Sequence, residues 1–245
     1  MSRSIIITGA SSGIGRATAE KFLSEGWQVG LIARRQGALD EVAGGHAGAH
    51  VAVADVTDSE ALERAIGALV GKMGRLDVLF NNAGIFGASG SIDEIDVAEW
   101  RRVLDVNVSG MFYAARLAFA QMRRQTPQGG RIINNGSISA HVPRSGSVCY
   151  TTTKHAITGL TRSLSLDGRD FDIACGQIDI GNAHTAMIDN LNVRLLAENP
   201  DAQAVPSMDV ADVAASVFHM AALPLAANVQ FMTVMATKMP FIGRG

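Results

Sequence analysis

Five residues, Ser4-Ile-Ile-Ile-Thr8, run straight into a turn carrying Gly9, Gly13 and Gly15, and a helical pattern follows from Arg16 to about Ser24. The β-branched run reads as a buried strand. Glycines at such spacing let the backbone turn sharply and approach a bound group closely. The helix that follows presents unpaired N–H groups and a favourable dipole at its start, a setting suited to phosphate. The spacing is Gly-x-x-x-Gly-x-Gly, which differs from the common Gly-x-Gly-x-x-Gly fingerprint. Taken alone it is equally compatible with an ordinary glycine-rich strand–helix turn.

Strand and helix patterns alternate over the rest of the chain. Strands are expected at Trp27 to Ala33, His50 to Val53, Val78 to Asn81, Arg131 to Asn134, Ile173 to Ile178 and Phe231 to Val234. Helices are expected at Asp58 to Met73 with Asp58 as N-cap, at Val97 to Met122, at Tyr150 to Leu166 and at Val210 to Ala222. This alternation implies an α/β fold, a doubly wound parallel sheet of Rossmann type covered on both faces, in a single domain over 1–245. His184 to Ser207 has no clear pattern and contains Pro200 and Pro206. It reads either as a surface excursion or as a lid, since ligands bind beyond the C-terminal ends of such strands.

Composition narrows the function. The 245 residues carry a formal net charge of -2, which gives no reason to expect nucleic acid. No apolar run reaches membrane-spanning length, so no membrane partner is expected. Cys149 and Cys175 make no disulfide framework, and the N-terminus has no signal-peptide layout, so the expected location is the cytoplasm. His46, His50, His141, His155, His184 and His219 show no ligand spacing, and no metal is expected. Of these, His141 and His184 are candidates for the pocket lining or ordinary loop residues. Cys149 reads as a packed side chain without an activating partner.

Tyr150 and Lys154 stand one helical turn apart and share a face. A phenol titrates near 10 (roughly), too high for efficient acid/base work at neutral pH, and a neighbouring ammonium favours the phenolate. Ser137 falls just past the fifth expected strand, where its hydroxyl can hold a substrate oxygen. Asn107 lies inside a long helix, a position its propensity disfavours, so a part in a proton relay is a candidate role. Each residue alone also has an ordinary structural explanation.

Together these residues resemble the short-chain dehydrogenase/reductase family over nearly the whole chain. Thr8-Gly-x-x-x-Gly-x-Gly15 is similar to its cofactor motif, Asn81-Asn82-Ala83-Gly84 to its motif after the fourth strand, and Asn107, Ser137, Tyr150 and Lys154 to its catalytic tetrad. The resemblance implies cofactor contacts from Gly9, Ser11, Ser12, Gly13, Ile14, Gly15, Asn82, Ala83, Gly84, Tyr150 and Lys154. It adds Asp55 and Val56 at the adenine, and Gly181 and Thr185 beside the nicotinamide. Two departures stand out: Ile180-Gly181 replaces the family's usual Pro-Gly, and Thr152-Thr153 precedes Lys154 where Ala-Ser is common.

The second strand ends Ala33-Arg34-Arg35 with no carboxylate at the turn. An acidic residue there would hold a ribose 2′-hydroxyl, whereas arginine accommodates a 2′-phosphate. NADP(H) is therefore the expected cofactor, with NAD(H) as the alternative. The resemblance implies hydride exchange between a small-molecule carbonyl and a secondary alcohol, in a homotetramer or homodimer. A non-catalytic NADP(H)-binding regulator and an epimerase or dehydratase with retained cofactor are the competing readings.

Overall fold

The structure is a computed structural model that describes residues 2–199 and 203–242. Seven parallel strands form one sheet: β1 (Ser4–Thr8), β2 (Gln28–Ala33), β3 (Ala49–Val53), β4 (Val78–Asn81), β5 (Gly130–Asn135), β6 (Ile173–Ile180) and β7 (Phe231–Val234). Their order is β3-β2-β1-β4-β5-β6-β7, so the winding reverses between β1 and β4. In open α/β sheets the crevice at that reversal, outside the strands' C-terminal ends, is where ligands bind.

The period of two along a strand explains the two cores. Ile5 and Ile7 of β1 face one side of the sheet, and Ile6 faces the other. The first side is covered by α1 (Gly13–Ser24), α2 (Gln36–Ala43) and, further along the chain, α8 (Val210–Ala222). There Phe22 meets Trp27 and Phe218 edge-on, with ring centroids 4.9 and 5.1 Å away. The opposite side takes α3 (Ser59–Met73), which buries Leu62, Ile66 and Leu69, and α5 (Gly110–Arg124), which buries Ala114, Ala118 and Met122. As expected from the sequence, Asp58 caps α3, accepting the N–H groups of Glu60 and Ala61.

Three departures from the sequence reading matter. A short helix, α2, follows β2 and ends on Gly44 in the left-handed region, φ 52°. The long helix expected over 97–122 is interrupted: α4 (Val97–Leu104) passes through one π turn (Asp105–Ser109) before α5 begins. The segment read as patternless holds α7 (Ala186–Glu198), whose Ile188 is buried. Pro200, named above in that segment, lies outside the described residues. The remaining long helix, α6 (Val148–Asp167), carries Tyr150 and Lys154. No helix among the described residues is long and apolar enough to cross a membrane.

Candidate active site

A cleft of about 890 Å³ runs along the C-terminal ends of the strands. Its floor is tied together by short polar contacts. The Thr8 hydroxyl accepts the backbone N–H groups of Asn82 and Ala83 at 2.9 and 3.0 Å. The Asn82 amide donates to the Thr8 carbonyl at 2.9 Å, and its oxygen accepts from the Asn135 amide at 2.8 Å. The ends of β1, β4 and β5 are thereby locked side by side at the winding reversal.

One end of the cleft is the glycine turn. Gly9 and Gly13 adopt φ of 68° and 51°, where a side chain would be strained. Gly15 has ordinary φ but no room, since a Cβ would lie 2.2 Å from the Gly9 carbonyl oxygen. Ser12 precedes α1 in extended conformation and makes no side-chain cap, which leaves the first-turn N–H groups facing the cleft without that partner. An anionic group of pyrophosphate size fits this chemistry. Arg34, Arg35, Asp55 and Val56 line the same end. Arg34 leans across toward Asp55, with nitrogen and oxygen 3.7 Å apart. Arg16 is turned away instead, bonded to Glu20 at 2.8 Å.

The other end gathers Ser137, Tyr150 and Lys154 with Gly181 and Thr185. Ser137 is held in extended conformation at the start of a short 3₁₀ turn (Ile138–Ala140), and its hydroxyl accepts the Ser139 N–H at 3.1 Å. The Tyr150 ring is half-buried and stacks on Phe86 at 4.9 Å between centroids. The Lys154 ammonium is buried, lies 5.4 Å from the Tyr150 ring centroid and donates to the Asn135 carbonyl at 2.7 Å. Phe86, Ile138, Met187, Ile188 and Leu191 give this end apolar walls.

Electrostatics here differ from the sequence expectation. Burial pushes the Tyr150 phenol above its ordinary value; the Ser137 hydroxyl and Arg144 pull it down, and Asp179 pushes it further up. Lys154 is not among these influences, and burial brings its own ammonium down to about 8. Desolvation opposes both charged forms.

Every catalytic and cofactor-contact residue expected from the sequence lines the cleft except Asn107. Asn107 sits fully buried in the π turn behind it. Its oxygen accepts the Ile85 N–H at 2.8 Å, and its amide donates to the Ile85 carbonyl at 2.8 Å and to Thr153 at 3.1 Å. The side chain therefore joins the loop after β4 to α6. His141 and His184 do not line the cleft either: His141 bonds to Asp179 and His184 faces Asp189. Cys149 is a packed, buried thiol that burial pushes up, as expected of an unreactive cysteine. Sequence reasoning passed over Arg144, which lines the cleft and donates to Asn182 at 2.8 Å, and Asp179. An aspartate inside a strand otherwise free of charge was the available signal for the latter.

A glycine turn at the winding reversal, facing a Ser–Tyr–Lys cluster across one cleft, defines an oxidoreductase of the nicotinamide-dependent α/β class. Residues 3–195 match the short-chain dehydrogenase family model, and the chain belongs to that family. It is 31% identical to a sulfoacetaldehyde reductase of Chromohalobacter salexigens, covering 97% of this chain and 96% of that one. Among solved structures, levodione reductase superposes with a TM-score of 0.88 at 26% identity, covering 96% of each chain. A closed serine dehydrogenase complexed with NADP⁺ gives a TM-score of 0.87 at 25% identity, covering 99% of this chain and 98% of that one.

Proposed function

We propose that the chain is an NADP(H)-dependent reductase or dehydrogenase that interconverts a carbonyl and a secondary alcohol. The observation that carries this reading is the single cleft with a phosphate-type glycine turn and two arginines at one end and Ser137, Tyr150 and Lys154 at the other. When bound, the nicotinamide supplies or accepts the hydride. The solved NADP⁺ complex of a serine dehydrogenase with this fold supports the choice of cofactor class.

In this reading the Ser137 hydroxyl donates to the substrate oxygen and orients it. Tyr150 gives its phenolic proton to that oxygen in reduction and takes one back in oxidation. Lys154 is anchored at the Asn135 carbonyl and holds the ribose beside the nicotinamide. Asn107 fixes the loop after β4 against α6, and through it the walls formed by Ile85 and Phe86. Gly9 to Gly15 with Asn82, Ala83 and Gly84 seat the dinucleotide, Asp55 and Val56 meet the adenine, Arg34 and Arg35 face the 2′-phosphate, and Gly181 and Thr185 flank the nicotinamide. The segment 184–207 serves as the lid of the single domain, α7 bringing Met187, Ile188 and Leu191 to the cleft. The apolar face shared by α5 and α6, which includes Phe112, Phe119, Leu160 and Leu164, fits a homodimer or homotetramer contact. The buried free thiols Cys149 and Cys175 suit a cytoplasmic setting.

The test follows NADPH absorbance against aldehydes, ketones, sugars and 3-oxoacyl thioesters. Turnover is expected with at least one carbonyl class, and Tyr150→Phe is expected to lower kcat by about 10²-fold or more while leaving NADPH affinity nearly unchanged. Binding without turnover on any of them would favour a regulator, and turnover without net cofactor oxidation an epimerase or dehydratase.

A further inference from the structure

Behind the Ser137 end of the cleft lies a polar chain that the proposed reaction leaves unused. The Asn134 amide donates to the Thr161 hydroxyl at 2.9 Å, which donates to the Gln177 oxygen at 3.0 Å. The Gln177 amide donates to Asp179 Oδ1 at 2.7 Å and to the Thr158 hydroxyl at 3.1 Å. The chain ends where Asp179 Oδ2 meets His141 Nε2 at 2.8 Å. Asn134, Thr161, Gln177 and Asp179 are 0 to 1% exposed, while the His141 side chain is 44% exposed. A buried carboxylate in a sheet interior is costly unless donors satisfy it. Here three converge, the third being the Ser137 backbone N–H at 3.0 Å.

The fit around this carboxylate is close. A Cβ on Gly136 would fall 2.0 Å from Asp179 Oδ1, so the residue before Ser137 must be glycine while Asp179 is present. The aspartate therefore occupies the space directly beneath the turn that sets Ser137. Its charged and titratable neighbours are His141 from the turn after β5 and Tyr150 and Lys154 from α6, while Arg144, from the loop that follows, acts on Tyr150. From β7 it faces the uncharged Thr233.

We propose that Asp179 and His141 form a positioning pair for the reacting centre: the carboxylate fixes the Ser137 turn from below and holds a negative charge beneath Tyr150 and Lys154, and His141 links that charge to solvent. The inference rests on the proposed role of Tyr150 but concerns residues outside the tetrad. An imidazole can take a second proton, which turns a lone buried carboxylate into a neutral ion pair. The charge felt by the phenol then depends on the state of a side chain that water reaches. In agreement, Asp179 acts on both Tyr150 and Lys154 in the direction of holding their protons.

The chain has two tyrosines, Tyr113 and Tyr150, which permits a direct test. In a Tyr113→Phe background the absorbance of phenolate formation reports Tyr150 alone, without substrate or turnover. Asp179→Asn keeps the shape and removes the charge, and is expected to lower the Tyr150 midpoint by about half a pH unit or more. His141→Gln removes the imidazole and leaves the carboxylate charged, so the midpoint is not lowered. Mere loosening of the turn would move both variants alike. If Asp179→Asn does not fold, His141→Arg places a fixed cation at the solvent end, and the midpoint is expected to fall relative to His141→Gln. A midpoint indifferent to Asp179→Asn, or to His141→Arg against His141→Gln, overturns the inference even if carbonyl reduction proceeds. A midpoint that moves as expected in a protein that reduces no carbonyl upholds it and instead overturns the catalytic reading.

Discussion

Lys154→Met should make the protein more stable while it destroys turnover. The cofactor-free fold buries this ammonium, and burial lowers it from 10.5 to about 8, a gap worth about 3 kcal/mol against the folded state at neutral pH. Because the folded value lies below the unfolded one, the unfolded chain binds more protons between about 8 and 10.5. Stability of the wild type therefore rises with pH across that window, and the cost is complete below it. Methionine removes the charge and fills much of the volume, but leaves the Asn135 carbonyl without its donor, a loss of about 1–2 kcal/mol. The net expectation at neutral pH is a gain of about 1–2 kcal/mol, equivalent to about 2–8 °C in Tm for a chain of this size. Urea unfolding of the cofactor-free protein at a series of pH values measures it. The advantage of the variant should shrink as pH climbs through the window and vanish or reverse above it. A variant less stable at neutral pH, or a difference that does not change with pH, would refute the reasoning that this lysine is held at a cost.

Two further outcomes bear on the cofactor end. Gly15→Ala puts a Cβ against the Gly9 carbonyl oxygen and, at 2.9 Å, its carbon, which are backbone atoms that cannot step aside. NADPH affinity should fall about tenfold or more at little cost to the sheet, and titration calorimetry showing wild-type affinity would contradict it. Arg34→Asp should shift kcat/KM toward NADH by about tenfold or more, by repelling a 2′-phosphate and accepting from a 2′-hydroxyl. A wild-type enzyme that already favours NADH would sink the assignment.

The parts of this fold legible in the sequence are those whose physics is local. Ser4–Thr8 and Gly9 to Gly15 declare a strand and a turn within a dozen positions, and Tyr150 and Lys154 need only one helical turn to share a face. Asp58 announces its helix because a cap acts on the next three N–H groups. What escaped notice depends on distant partners or weak periodicity. Only Leu39 and Val42 are buried in α2, too few to stand out from a loop. In α7 Ile188 and Leu191 have the spacing of one face, but the apolar Val193 and Leu196 are exposed and blur it. Asp179 could not be placed because two of its three donors, His141 and the Ser137 backbone, reach it only through the pairing of β5 with β6. Asn107 was noticed for its poor propensity, but its bonds to Ile85 and Thr153 follow from a helix irregularity that no pattern of side chains announced.

The π turn at Asp105–Ser109 amounts to a miscount in an otherwise continuous helix. Such a turn widens the ring by one residue, so everything after it is advanced by one position relative to a regular helix. Regular winding of this turn with every residue kept would rotate α5 by about 100°. Gly110, whose missing side chain leaves room for Val56, would surrender its place to a bulkier neighbour. Ala114, Ala118 and Met122 would swing off the sheet. The π turn thus keeps α5 on its face despite the extra residue. In this stretch a change that closed the π turn at full length would disturb the wall of the cleft and half the core at once.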